Sequence, residues 1–90
     1  MKYQFLEDAE KELLESSIYY NNNQTGLGFD FAGEVHKTID RIIRFPEGWT
    51  KISKSCRRCL VNRFPFGVIY TIEDNIILII AIMKDRKSVV

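Results

Sequence analysis

Between Cys56 and Lys84 the chain concentrates its β-branched residues in three runs separated by two turn signals, and this stretch constrains the fold more than any other. Phe64-Pro65 ends the first run, because proline has no amide hydrogen for a strand ladder and biases its predecessor towards extended geometry. Glu73-Asp74-Asn75 separates the second run, Phe66 to Ile72, from the third, Ile76 to Met83. These turn side chains tolerate the left-handed conformation of a tight hairpin. Strands joined by such short turns run antiparallel. The third run is apolar at nearly every position, the pattern of a central strand covered on both faces.

Upstream, Lys2 to Leu6 alternates polar and apolar, with Tyr3 and Phe5 on one face, and predicts a short first strand. Glu7-Asp8 then places negative charge at the positive end of a helix. Ala9, Leu13 and either Ile18 or Tyr20 follow near helical spacing, until Asn21-Asn22-Asn23 and Gly26 end the segment. Leu27, Phe31, Val35, Ile39 and Ile42 recur at spacings of four, four, four and three, the mark of a second amphipathic helix. Phe45-Pro46-Glu47-Gly48 stops it, and Trp49 to Ile52 forms a brief extended piece. The order β-α-α-β-β-β predicts an α+β fold in one domain over residues 1–90. Its antiparallel sheet has about four strands, the first at an edge, and the N-terminal two-helix hairpin packs on one face.

Ninety residues suffice for one self-supporting core. The first twenty carry five acidic side chains and no apolar segment of the kind a signal peptide needs, so a cytoplasmic protein is expected. The longest apolar run is eight residues, against the roughly 20 that span a bilayer, so no membrane association is expected. A net charge of +1 conceals a division. Residues 1–40 hold eight acidic and three basic side chains, whereas residues 41–90 hold ten basic and four acidic. The basic half suits an anionic or acidic partner, and equally the two halves can complement each other within the fold.

Little in the sequence points to a reaction. Cys56 and Cys59 form a Cys-x-x-Cys, but residues three apart on a strand face opposite ways, and neither a second pair nor a second histidine exists to complete a metal site. His36, between Val35 and Lys37, reads as an ordinary helix position. No metal or other cofactor is expected. Two cationic groups remain: Lys51, Lys54, Arg57, Arg58 and Arg63 around the first long strand, and Lys84, Arg86 and Lys87 after the last. Long cations at a sheet edge serve solubility. Alternation places Arg57 and Arg63 with Cys59 and Val61, and Arg58 with Leu60 and Asn62, so charge lies on both faces and one face should be open.

Arg57-Arg58-x-Leu60-x-x-Arg63-Phe64-Pro65-Phe66-x-Val68-Ile69-Tyr70, followed by Ile79-Ile80-Ala81-Ile82-Met83, resembles the RelE/ParE superfamily of toxins from bacterial type II toxin–antitoxin modules. Ala9, Leu13, Tyr19-Tyr20, Gly26-Leu27-Gly28, Phe31 and Val35 fit the helical hairpin of its ParE-like, plasmid-stabilisation branch. The resemblance implies a toxin that binds a macromolecular target, DNA gyrase, and is neutralised by a cognate antitoxin wrapping helices and sheet. Operator DNA would be reached only through the antitoxin. Target or antitoxin binding falls to Arg57, Arg58, Arg63, Lys84 and Arg86. An alternative is a RelE-like endoribonuclease acting on ribosome-bound mRNA without metal, in which Arg63, Lys84 and Arg86 are the catalytic candidates. Nuclease members typically carry an arginine where Gly67 stands, and often a C-terminal tyrosine or histidine. ParE-like members commonly have a histidine at Lys84, then a proline and an aromatic residue. Neither pattern is met after Met83. A member that has lost toxicity and only binds antitoxin is therefore a third reading.

Overall fold

The computed structural model describes residues 1–85. In order these form β1 (Lys2–Phe5), α1 (Glu7–Asn23), α2 (Leu27–Arg44), β2 (Thr50–Lys51), β3 (Cys56–Leu60), β4 (Phe66–Glu73) and β5 (Ile76–Lys84). The strands make one five-stranded sheet in the order β1-β5-β4-β3-β2. The expected α+β order is present, with two refinements to the sheet. Thr50–Lys51 is a genuine edge strand antiparallel to β3, and β1 lies parallel to β5 rather than antiparallel. Parallel pairing requires a long connection, and here α1, α2 and the strands β2 to β4 all lie between the two partners in sequence.

The β4–β5 hairpin turns where Glu73 pairs with Ile76, and Asp74 and Asn75 both take positive φ (51° and 63°), as a tight two-residue turn demands. The hairpin of helices is closed as tightly. Gly26 caps the start of α2 at φ 90°, and a side chain at Gly28 would run into the Ser17 carbonyl oxygen of α1.

The core lies between the helices and one face of the sheet. Ala9 of α1 and Phe31, Val35, Ile39 and Ile42 of α2 meet Val68 and Tyr70 of β4 and Ile77, Ile79 and Ile82 of β5. Tyr20, Phe31, Phe64 and Phe66 interlock at its end, with ring centroids 4.9–6.1 Å apart. Of the two candidates on α1, Tyr20 turns inward while Ile18 stays exposed.

The expectation that β5 is covered on both faces is not met. Ile77, Ile79 and Ile82 are buried under the helices, but Ile76, Leu78, Ile80 and Ala81 are only half-buried and Met83 is exposed. On this second face β4 contributes Ile69 and Thr71, and β3 contributes Arg58 and Leu60. No described helix lies over it.

Short outer strands leave backbone groups bare at both sheet edges, and each helix supplies a side chain to one of them. Beyond β1, the Ile82 amide donates to Glu12 Oε1 on α1 at 2.9 Å. Beyond β2, Arg41 Nη2 on α2 donates to the Leu60 carbonyl at 3.0 Å. An unpaired strand edge invites pairing with other chains, and these contacts blunt it.

Candidate functional site

The cations singled out in the sequence do not converge on one point. Alternation along β3 sends Arg57, opposite Tyr70, towards the helices, and Arg58, opposite Ile69, onto the open face. Arg57 is anchored by a hydrogen bond from Nη1 to the Trp49 carbonyl at 2.8 Å. It lies directly across from Lys51, and with Lys54 and Tyr70 the two line a cleft of about 320 Å³ in which Glu47 is the single acid. The Tyr70 hydroxyl donates to the Pro46 carbonyl oxygen. Burial pushes its pKa up to about 12, opposed by Arg57 and reinforced by Cys59 and Glu47. Tyr70 therefore stays protonated at neutral pH and is a poor proton acceptor.

Arg58 lies differently. A Cβ at Gly67 would sit 3.0 Å from Arg58 Cγ and 3.1 Å from its Cδ, so the arginine stem crosses the middle strand through the space that a side chain at 67 would fill. Its Nε is buried and has no hydrogen-bond partner among the described residues. At the edge of β3 a second cleft, of about 290 Å³, is lined by Arg41, Trp49, Thr50, Arg58, Leu60 and Asn62, with no carboxylate among them. Nothing in the sequence pairs Arg41 with Arg58, since one is a cation near a helix end and the other belongs to a strand.

Arg63 corrects the sequence reading. It does not continue the β3 alternation with Arg57, because the strand ends at Leu60 and Arg63 sits in the following loop at φ 72°. Its guanidinium reaches α2 instead, with Nη1 3.5 Å from Glu34 and Nη2 3.6 Å from Asp30, and lies 5.6 Å from the centre of the Phe64 ring. Glu34 is nearly buried, so this contact clasps loop to helix. Lys84 is exposed at the end of β5, opposite Phe66. Arg86 lies outside the described residues.

Cys59 is buried on the helix side and Cys56 half-buried on the other, both as free thiols. Burial raises the Cys59 pKa despite Arg41 nearby, which keeps it a thiol and unreactive. His36 is exposed on α2, its Nδ1 2.8 Å from the Ala32 carbonyl oxygen. Among the described residues no three His, Cys, Asp or Glu side chains gather as metal ligands.

The helical hairpin has its own exposed apolar surface. Ser17, Ile18, Asn21, Gly28, Phe29 and Ala32 line an outer groove of about 290 Å³, and Phe29 is 85% exposed.

The family model described as the ParE toxin of the type II toxin–antitoxin system, parDE, matches residues 3–89. The chromosomal ParDE toxin–antitoxin system from P. aeruginosa superposes with a TM-score of 0.84 at 13% identity, covering 96% of this chain and 97% of that one. The isolated E. coli RelE toxin gives 0.68 at 16% identity, with 94% and 84% covered. The YoeB dimer from Staphylococcus aureus gives 0.60 at 18% identity, with 92% and 94% covered. No curated protein sequence matches.

Proposed function

The chain belongs to the ParE toxin family of type II toxin–antitoxin systems, and from that membership we propose that it acts in the bacterial cytoplasm by binding DNA gyrase, with a cognate antitoxin holding it inactive. A plasmid-stabilisation role and contact with operator DNA through the antitoxin belong to the same reading. The observation that carries it is the uncovered face of the sheet. There, Leu60 (48% exposed) and Met83 (54% exposed) flank Gly67, against which the Arg58 stem rests, on a broad surface suited to a macromolecule. The exposed groove around Phe29 on the hairpin gives an antitoxin a second apolar surface. Arg57, Arg58 and Lys84 are the binding cations in this reading, while Arg63 supports the loop beside them.

Expressing the chain alone in bacteria and mapping RNA ends within minutes tests the proposal. Filamentation and a DNA-damage response with intact messages support it. Codon-specific cuts would transfer the assignment to a ribosome-dependent nuclease.

A further inference from the structure

Arg58 and Gly67 carry an inference about the antitoxin, and it rests on the toxin–antitoxin reading. Burying an arginine nitrogen without a partner is unfavourable, because the desolvated N–H forfeits its hydrogen bonds to water. Arg58 Nε is in that position, and Arg58 also lines a cleft with Arg41 that has no carboxylate among its lining residues. Arg41 already donates through Nη2 to Thr38 Oγ1 at 3.2 Å and to the Leu60 carbonyl at 3.0 Å, so the second guanidinium is held in place. The absence of a side chain at Gly67 is what lets the Arg58 stem lie across β4.

We infer that this cleft seats a carboxylate from an apolar segment of the antitoxin, with Arg58 as its anchor and Gly67 as the residue that makes room for it. The chemistry favours an acidic peptide. Leu60 and Met83 stand exposed beside Gly67, and half-buried Ala81 and Leu78 continue an apolar surface along β5. A carboxylate with apolar neighbours matches that arrangement in both charge and hydrophobicity. Nucleic acid would be followed by a series of cations along its backbone and by aromatic platforms for its bases. Arg41 and Trp49 share the cleft with Arg58, but across the rest of the open face of β3, β4 and β5 no further arginine, lysine or aromatic residue stands among the described residues, so no track of cations leads away from the cleft.

The test uses the full chain and the antitoxin encoded in the adjoining reading frame, with affinity measured for the wild type, Arg58→Gln, Gly67→Val and the double variant at low and high salt. Removing one charge-assisted contact should weaken the complex about 10- to 100-fold. Gly67→Val fills the space of the stem with a strand-favouring residue, and it should weaken binding comparably while the protein stays folded. In the double variant the valine should add almost nothing, because it acts through Arg58. The salt dependence should flatten in both single variants. Unchanged affinity in Arg58→Gln would overturn the inference while leaving the antitoxin assignment standing, as would fully multiplicative losses. Failure of the wild-type chain to bind the antitoxin would remove the parent reading and this one together. A single-stranded RNA 12-mer titrated in parallel decides the ligand class: if Arg58→Gln abolishes RNA binding and leaves the antitoxin unaffected, the cleft belongs to nucleic acid and the inference is wrong.

Discussion

Replacing Arg63 distinguishes support of the fold from recognition, because two opposing contributions meet at that residue. Its ion pair with Asp30 joins two half-exposed groups, whereas Glu34, with a side chain 9% exposed, retains among the described residues only Lys37 at 3.7 Å once Arg63 is gone. Exposed pairs contribute about 0–1 kcal/mol and breaking a fully buried one costs about 3–5, so Arg63→Ala should cost about 1–2 kcal/mol. For a domain of this size that lowers Tm by about 4–16 °C. The φ of 72° adds an independent check. A residue with a Cβ pays about 1–2 kcal/mol in the left-handed region and glycine does not, although glycine also loosens the unfolded chain. Arg63→Gly should therefore melt at or above Arg63→Ala despite losing the same charges. Circular dichroism melts at low and high salt provide the assay, and the deficit of Arg63→Ala should shrink with salt. If Arg63→Ala melts like the wild type and instead loses toxicity or antitoxin binding, Arg63 is a recognition residue and the clasp assignment is wrong.

Three further outcomes follow from the packing. Tyr70 holds its proton more tightly folded than unfolded, so its contribution is intact below about pH 10 and is lost as pH rises towards 12; alkaline unfolding followed by tyrosine absorbance should show this loss, and Tyr70→Phe should remove it. Glu12→Ala leaves the Ile82 amide without its acceptor and should cost about 1–2 kcal/mol in urea unfolding, whereas Glu12→Gln, which keeps a carbonyl oxygen, should remain near wild type. Gly28→Ala drives a methyl group against the Ser17 carbonyl and should destabilise by about 1–3 kcal/mol although alanine favours helix, as thermal melts would register.

The two helices, the breaker clusters and the β4–β5 hairpin were legible because each is written in local spacing. What escaped depends on neighbours that no local pattern names. An all-apolar strand reads as covered on both faces, yet β5 is buried on one and leaves Leu78 and Met83 towards the other. β1 has four residues, too few to announce that its partner is the last strand and that the two are parallel. Arg63 looked like a strand residue by counting in twos, and only the early end of β3 and a positive φ turn it back onto α2. Of the candidate cations, Arg57 and Arg58 were correctly placed on opposite faces. The meeting of Arg58 with Gly67 and Arg41 needs the register of β3 on β4 and the docking of α2, neither of which sequence spacing encodes.

The most direct test of the central claim mixes the purified chain with DNA gyrase, ATP and relaxed plasmid, beside a translating extract programmed with a defined message. The account predicts a gyrase complex, loss of supercoiling on adding the chain, recovery on adding antitoxin, and an intact message. Undisturbed supercoiling at excess chain, together with cleavage of the message on the ribosome, would contradict it.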